Sequence, residues 1–269
     1  MIREPAVAGR FYAADPSSLR HQVRDFLGPE EHPSQENAIG LVSPHAGYIY
    51  SGQVAGSVFS RVKIPKKILL LGPNHTGLGA YAAINVSGFW NTPLGAAKID
   101  ENLAKKLMHL CPLLQVDQAA HQREHSLEVQ LPFLQVLRQD FEFVPLCLSH
   151  FRYDDCVSLG MAMAKLIAAS DEDILMVASS DMNHYESQQR TLLKDQRAIA
   201  CILELNPQKL YQRVHEEDIS MCGIIPTTCM MVAALELGAK RAELVKHATS
   251  GDVSGDYGGV VGYAGIILS

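Results

Sequence analysis

The run Ile174-Leu175-Met176-Val177-Ala178 constrains the fold more than any other part of this chain. Its apolar residues follow one another with no polar alternation, the pattern of a strand covered on both faces. Such strands belong to parallel sheets with helices packed above and below. The run then breaks into Ser179-Ser180-Asp181, and His184 follows. A carboxylate and an imidazole are thereby delivered past the C-terminal end of an inner strand, the edge where open α/β sheets bind ligands. Two other short strand-like runs end in the same way. Ala38-Ile39-Gly40-Leu41-Val42 leads into Ser43-Pro44-His45, and Lys67-Ile68-Leu69-Leu70-Leu71 leads into Gly72-Pro73-Asn74-His75. In both, proline ends the pairing and stiffens the turn that carries the histidine.

Helical and extended patterns alternate along the rest of the chain. Asp15-Pro16 starts a helix that runs to about residue 27, where Gly28-Pro29 stops it, and residues 29–37 read as a polar loop. Further helices are expected from about 52 to 62, over 101–110 behind an Asp100 cap, and over 154–169, 192–205, 207–214 and 223–237. Leu127, Leu131, Leu134 and Leu137 put a helical stripe across 125–138, inside which Pro132 predicts a kink or a late start. Strands are expected at 81–86, 141–148, 243–248 and 260–268, with a turn at 91–95. The glycine-rich segment 251–259 reads as a closing turn or a lid, with Asp252 and Tyr257 as candidate contacts. Neither an internal repeat nor a linker breaks the pattern, so residues 1–269 are expected to form a single α/β domain.

Charge and composition exclude several classes. The chain of 269 residues carries 23 Lys and Arg against 29 Asp and Glu, a net charge of −6, without a basic run, so nucleic acid is not an expected partner. The longest apolar runs contain glycine and are too short to span a bilayer, so no membrane association is expected. Met1-Ile2-Arg3-Glu4-Pro5 has no charged-then-apolar signal pattern. The six cysteines form no Cys-x-x-Cys pair, which suits free thiols and a cytoplasmic location.

The residues that carry chemistry are expected to meet at one sheet edge. They are His45, His75, the Asp181/His184 pair, and Cys222, which stands at the start of an apolar helix where the helix dipole favours a thiolate. Two imidazoles and a thiolate suit one borderline metal ion such as iron, copper or zinc. The same residues also permit a metal-free thiol hydrolase, with Cys222 as nucleophile, His184 as base and Asp181 as its orienter. A third reading is a binding module whose cleft holds a peptide or a phosphate. His121 and His125 have the i, i+4 spacing of a helical zinc site but lack the glutamate directly after the first histidine, so His121 is expected to face solvent. Cys229 is expected to pack, the remaining cysteines to be core or surface thiols, and Met161, Met163, Met230 and Met231 to fill core.

Val7-Ala8-Gly9-Arg10-Phe11-Tyr12, Pro44-His45-Ala46-Gly47-Tyr48, Gly72-Pro73-Asn74-His75, Glu124-His125-Ser126-Leu127-Glu128, Ser179-Ser180-Asp181-Met182-Asn183-His184 and Met221-Cys222-Gly223 resemble, in that order, the motifs of the Memo family. That family is similar to the class III extradiol dioxygenases, non-haem iron enzymes that open catechol rings. The resemblance implies a three-layer α/β/α sandwich. It implies His45, His75 and Cys222 as ligands of one metal ion, iron favoured, with copper or zinc as alternatives. Asp181 and His184 would lie beside the metal, His184 matching the dioxygenases' acid/base histidine. His125 and Glu128 would line or brace the cleft. The implied function is a metal-dependent, dioxygenase-like oxidoreductase acting on a small molecule or peptide. Family members described as phosphopeptide-binding or signalling proteins imply a non-catalytic alternative. Cys222 stands where the dioxygenases place a glutamate, and a thiolate is softer and more oxidisable than a carboxylate.

Overall fold

Short-range signals set the first elements in the computed structural model, which describes residues 2–28 and 35–269. After β1 (Ile2–Arg3), the Asp15 side chain accepts a hydrogen bond from Ser18 N at 2.8 Å and starts α1 (Pro16–Leu27), which Gly28 ends at φ 82°. Of the loop expected at 29–37, residues 29–34 lie outside the described residues. β2 (Gly40–Ser43) is followed by α2 (Tyr48–Phe59), which begins earlier than the sequence suggested. The reason is long-range: Tyr48 N–H, an orphan of the first turn, donates to Phe11 O at 2.7 Å.

β3 (Lys67–Pro73) and β4 (Ala82–Ile84) come next. The turn expected at 91–95 is the tip of an antiparallel hairpin of β5 (Phe89–Thr92) and β6 (Gly95–Ile99), two strands the sequence pattern did not reveal. Asp100 caps α3 (Glu101–Leu110) by accepting from Leu103 N at 3.0 Å. β7 (Gln115–Val116) and α4 (Ala119–Gln122) lead to a single 3₁₀ turn, Glu128–Gln130, and then to α5 (Leu131–Leu137). Pro132 sits in the first turn of α5, so the outcome is a late start rather than a kink.

β8 (Glu142–Leu148), α6 (Tyr153–Ala168) and β9 (Ile174–Ser179) match the expected pattern. The segment after β9 does not end as a loop. It forms β10 (Asp181–Glu186), paired antiparallel with the last strand through an irregular register, so the pairing partner and not the local sequence makes it extended. α7 (Gln188–Leu203), α8 (Pro207–Glu216), α9 (Ile224–Glu236), β11 (Ala242–Thr249), α10 (Gly251–Ser254) and β12 (Val260–Leu268) complete the chain. α10 occupies part of the glycine-rich segment and stops at Gly255, φ 75°.

Among the described residues, twelve strands join in one sheet. Its centre is the parallel set β6-β8-β3-β9-β2, and β12 adds antiparallel to β2. Side chains of the central strands alternate between two cores. Ile68, Leu70, Leu175 and Val177 pack with α1, α2 and α5 residues such as Val23, Phe59 and Phe133. Leu69, Leu71, Met176 and Ala178 pack on the other face with Leu107 of α3, Met163 of α6 and Met230 of α9. Each fully buried leucine stabilises the fold by roughly 1.5–3 kcal/mol. The result is the expected helix-sheet-helix sandwich.

One methionine departs from the expected core role: Met161 is 42% exposed while Met163 is buried. Residues two apart on a helix point to different sides, so α6 buries only one of them. Met230 and Met231 are both buried because α9 is covered nearly all round. Among the described residues, no helix is long and apolar enough to cross a membrane.

Candidate metal centre

The parallel register places three strand ends at one edge. Ser43 of β2 pairs with Ser179 of β9, and Leu71 of β3 pairs with Ala178 of β9, so the turns that follow carry His45, His75 and Asp181 to the same rim. His125 arrives from the segment before α5, and Cys222 immediately before α9. Gly223 is required there: a Cβ at this position would come within 2.4 Å of Ser179 O, so only glycine lets the start of α9 approach the end of β9. The result is a cleft of about 610 Å³ lined by His45, His75, His125, Asp181, His184 and Cys222, with Phe11 and Tyr185 among its walls.

His45, His75 and His125 offer ligand atoms that all lie within 4.8 Å of one another. Their surroundings fix which nitrogen each presents. Ser179 Oγ donates its one hydrogen to Ser126 O at 2.6 Å and accepts from Gln130 Nε2 at 2.8 Å. His45 Nδ1, 2.9 Å from the same oxygen, must therefore be the N–H donor. That leaves His45 Nε2 with a lone pair, 3.2 Å from Cys222 Sγ. His75 Nδ1 is 2.9 Å from Glu124 Oε1, a carboxylate oxygen that only accepts, so His75 Nε2 is likewise free. His184 follows the same rule, with Nδ1 donating to Ser220 O at 2.7 Å.

Glu124 is fully buried and accepts from three backbone amides, those of His75 at 2.6 Å and of His125 and Ser126 at 2.9 Å. Burial opposes its charge, but the hydrogen bond from His75 and the backbone donors outweigh that and hold the carboxyl at about 2. An ionised carboxylate behind an imidazole is the arrangement that orients metal-bound histidines. His125 stacks on His75, ring centroids 4.5 Å apart, and meets Phe11 in a tilted contact at 4.7 Å, and burial lowers its pKa to about 4. Burial, reinforced by the neighbouring imidazoles, drives His45 well below the ordinary histidine range. Burial and the Asp181 carboxyl push the Cys222 thiol well above the ordinary range.

Several expectations are revised by these contacts. Asp181 does not orient His184. Its Oδ1 accepts from His45 N at 2.7 Å and Ala46 N at 3.3 Å, because the irregular register of β10 separates it from His184, and Ser220 does the orienting. Cys222 meets His45 rather than His184, and its thiol is raised instead of activated, so the metal-free Cys-His-Asp triad is not assembled. Glu128, expected to line or brace the cleft, is not among its lining residues and takes the second role. It is a buried brace whose carboxylate takes Arg3 at 2.7 Å, Tyr12 Oη at 2.6 Å and the Ala6 and Val7 amides. His121 is not solvent-facing: it is 1% exposed, edge-on to Trp90, because the short α4 turns its ring inward.

Ser179, Glu124, Gln130 and Ser220 were not singled out from the sequence for their roles in the site. Glu124 lies directly before His125 and Ser179 two residues before Asp181, inside the Glu124-His125 and Ser179-Ser180-Asp181 motifs. A carboxylate directly before a histidine was the available signal for Glu124.

A profile described as Memo-like protein matches residues 3–267, nearly the whole chain. The chain belongs to the Memo family. A MEMO1 family protein of Methanopyrus kandleri is 42% identical over 280 residues, covering 100% of this chain and 99% of that one. One from Thermotoga neapolitana is 43% identical over 282 residues, covering both chains fully, at 100% each. Among solved structures, an uncharacterised protein of Escherichia coli K12 superposes with a TM-score of 0.58 over 86% of this chain and 99% of that one. At 14% identity it supports the fold alone. The Memo fold is extradiol dioxygenase-like, a central sheet with helices on both sides, as the sequence led us to expect. The histidine cluster of this Memo chain is compatible with a metal site.

Proposed function

We propose that the chain is a metal-dependent oxidoreductase of the extradiol dioxygenase-like class, holding one metal ion at His45, His75 and Cys222, with His184 as its acid/base group. The observation that carries this reading is an unprotonated nitrogen of the histidine cluster set against a thiol. His45 Nε2 is 3.2 Å from Cys222 Sγ, and the Nδ1 atoms of His45 and His75 are both committed behind the site. Two imidazoles and a thiolate suit iron, copper or zinc, and iron is favoured for this class. A bound cation would supply Lewis acidity and, as iron or copper, a redox couple for oxygen chemistry.

The chain's own residues divide the remaining work. Cys222 would have to give up its proton to serve as a ligand, so its raised thiol pKa would make metal binding depend on pH. Ser179 and Glu124 fix the two imidazoles in the tautomer that ligation needs. His184 lines the cleft with Nδ1 engaged on Ser220 O, leaving Nε2 to take a proton from a substrate hydroxyl and return it. Asp181, through the amides of His45 and Ala46, holds the turn that carries the first ligand. Tyr185, φ 59° and 81% exposed beside His184, forms part of the cleft wall toward a small-molecule or peptide substrate.

The test is elemental analysis by mass spectrometry on protein purified without oxygen or chelator, comparing wild type with Cys222→Ser, His75→Ala and His125→Ala. The expected result is near one iron or copper per chain, lost in the first two variants and kept in the third. Metal kept in Cys222→Ser and lost in His125→Ala would replace the thiolate by a third imidazole. A wild type that stays empty after reconstitution would end the reading.

A further inference from the structure

His184 is held by Ser220, and Ser220 is held in turn by Asn183, a buried residue to which the metal centre gives no role. Ser220 lies between α8 and α9 in a segment that is neither helix nor strand. Its backbone oxygen takes His184 Nδ1 at 2.7 Å, and its hydroxyl takes His184 N at 2.7 Å. A loop residue aims a side chain only if the loop itself is fixed. Asn183 Oδ1 does this by accepting from Ser220 N and Ser220 Oγ, both at 3.1 Å. The Ser220 N–H can only donate, so the amide oxygen of Asn183 must face it.

Asn183 is itself tied down from several elements. Its Nδ2 donates to Glu186 Oε2 at 2.9 Å and to Thr191 Oγ1 of α7 at 3.3 Å. Its backbone N–H donates to Asp195 Oδ1, also on α7, at 2.9 Å. Asp195 is fully buried, with its other oxygen 2.8 Å from His247 Nε2 on β11. A Cβ at Gly262 of β12 would collide with that oxygen, so glycine there makes room for the carboxylate. The register of β10 shifts on both sides of His184, so the strand ladder alone does not set the ring.

We propose that Asn183 is the positioning residue of His184: by clamping Ser220 it keeps the Ser220 carbonyl on His184 Nδ1, which holds the ring hydrogen there and leaves Nε2 unprotonated toward the cleft. The inference rests on the reading of His184 as the acid/base group and adds the residue that sets its tautomer. A carbonyl only accepts, so a neutral ring facing it carries its hydrogen on Nδ1. Without the clamp, Ser220 O is free to move away and both tautomers become accessible. In the molecules with hydrogen on Nε2, that nitrogen cannot take a proton from a substrate.

The test is long-range ¹H–¹⁵N spectroscopy of the full chain, stripped of metal with a chelator, at about pH 8, where an ordinary histidine is neutral. Wild type is compared with Asn183→Ala and Asn183→Asp, and the His184 signals are assigned by their loss in His184→Gln. Wild type should show one tautomer, with hydrogen on Nδ1 and none on Nε2. Asn183→Ala should show a mixture, its Nε2 signal shifted toward the protonated position. Asn183→Asp keeps an oxygen for Ser220 but loses the donor to Glu186 and sets a carboxylate beside it. It should therefore melt lower than wild type and still keep the wild-type tautomer, a split that a merely supporting role would not produce. A wild type without hydrogen on Nδ1, an Asn183→Ala variant with unchanged His184 signals, or an Asn183→Asp variant with a mixture would each overturn the proposal. If Asn183→Ala does not fold, wild type and Asn183→Asp still decide. The readout needs no metal, so its failure leaves the metal reading standing, and a chain that takes up no metal leaves this result intact.

Discussion

His45 and His121 are buried to the same degree, 1% exposed, and burial lowers the pKa of both, yet their surroundings are opposite. His45 has a partner at each nitrogen, Ser179 Oγ on one side and Cys222 Sγ on the other. His121 has none at either nitrogen among the described residues. An imidazole costs free energy to bury, and the two sites meet that cost differently. At His45 the protein itself supplies a serine, a glutamine and a backbone carbonyl in one network, which fixes the ring before any ligand arrives. At His121 the ring is sealed in the core edge-on to Trp90, and the protein supplies no polar partner among the described residues. The first is built to hold a ligand atom in a set geometry, while the second carries its burial cost without compensation.

The two regions are joined through Glu124 and Arg3. The Glu124 carboxylate seats His75, and its backbone oxygen takes Arg3, which also bonds His121 O and Glu128. Breaking that connection should have the largest effect. Glu128→Ala leaves the Arg3 charge buried without its partner, and the expected cost is about 3–5 kcal/mol of stability. Urea unfolding measures it, and a loss below about 1 kcal/mol would mean that the two regions are held by other contacts.

Ser179→Ala tests the His45 side alone. It removes the acceptor of His45 Nδ1 and leaves Ser126 O without its donor, for an expected loss of about 1–3 kcal/mol. The same change should weaken metal binding about 10–100-fold, the usual effect of losing an outer-sphere partner. Competition against a metal-binding dye reads the second number. An unchanged affinity would show that the His45 tautomer does not depend on Ser179.

The His121 side has its own pH signature. The folded-state pKa of about 3 lies below the ordinary histidine value, so as pH falls below about 6.5 the unfolded chain takes up a proton that the folded chain refuses. His121 therefore lowers stability progressively from about pH 6.5 toward pH 3, by at most about 1.4 kcal/mol per pH unit. Stability curves of wild type and His121→Leu between pH 7 and pH 5 should diverge, the variant losing less. Parallel curves would mean that the folded ring takes up its proton as readily as the unfolded one. The smallest effect is expected from His121→Leu at pH 7.5, within about 1 kcal/mol of wild type, because it removes a polar ring that has nothing to bond. A loss above about 2 kcal/mol would remove the contrast with His45.

Much of the sheet edge was legible because parallel strands leave a simple trace. An unalternating apolar run ending in a turn places the next residues at the C-terminal rim, which is how His45, His75 and Asp181 could be grouped before any coordinates. Cys222 was legible as the residue before a buried helix, but its titration was not. The helix start favours a thiolate, whereas burial and Asp181, both tertiary, win and raise the thiol. β10 was missed because a polar run becomes a strand only when β12 lies beside it. His121 was misplaced because local spacing says nothing of Trp90 and Arg3, which come from far along the chain. The outer partners Ser179, Gln130 and Ser220 were invisible for the same reason: hydroxyls and amides carry no periodic signal, and their roles exist only once the strands are in register.

The most direct test of the metal centre is X-ray absorption at the iron edge of protein reconstituted without oxygen, wild type beside Cys222→Ser. The account predicts sulfur and at least two imidazole nitrogens in the first coordination shell of the wild type, with the sulfur gone in the variant. A wild-type shell of nitrogen and oxygen alone would contradict it, and would leave Cys222 as a buried thiol beside a site made of histidines.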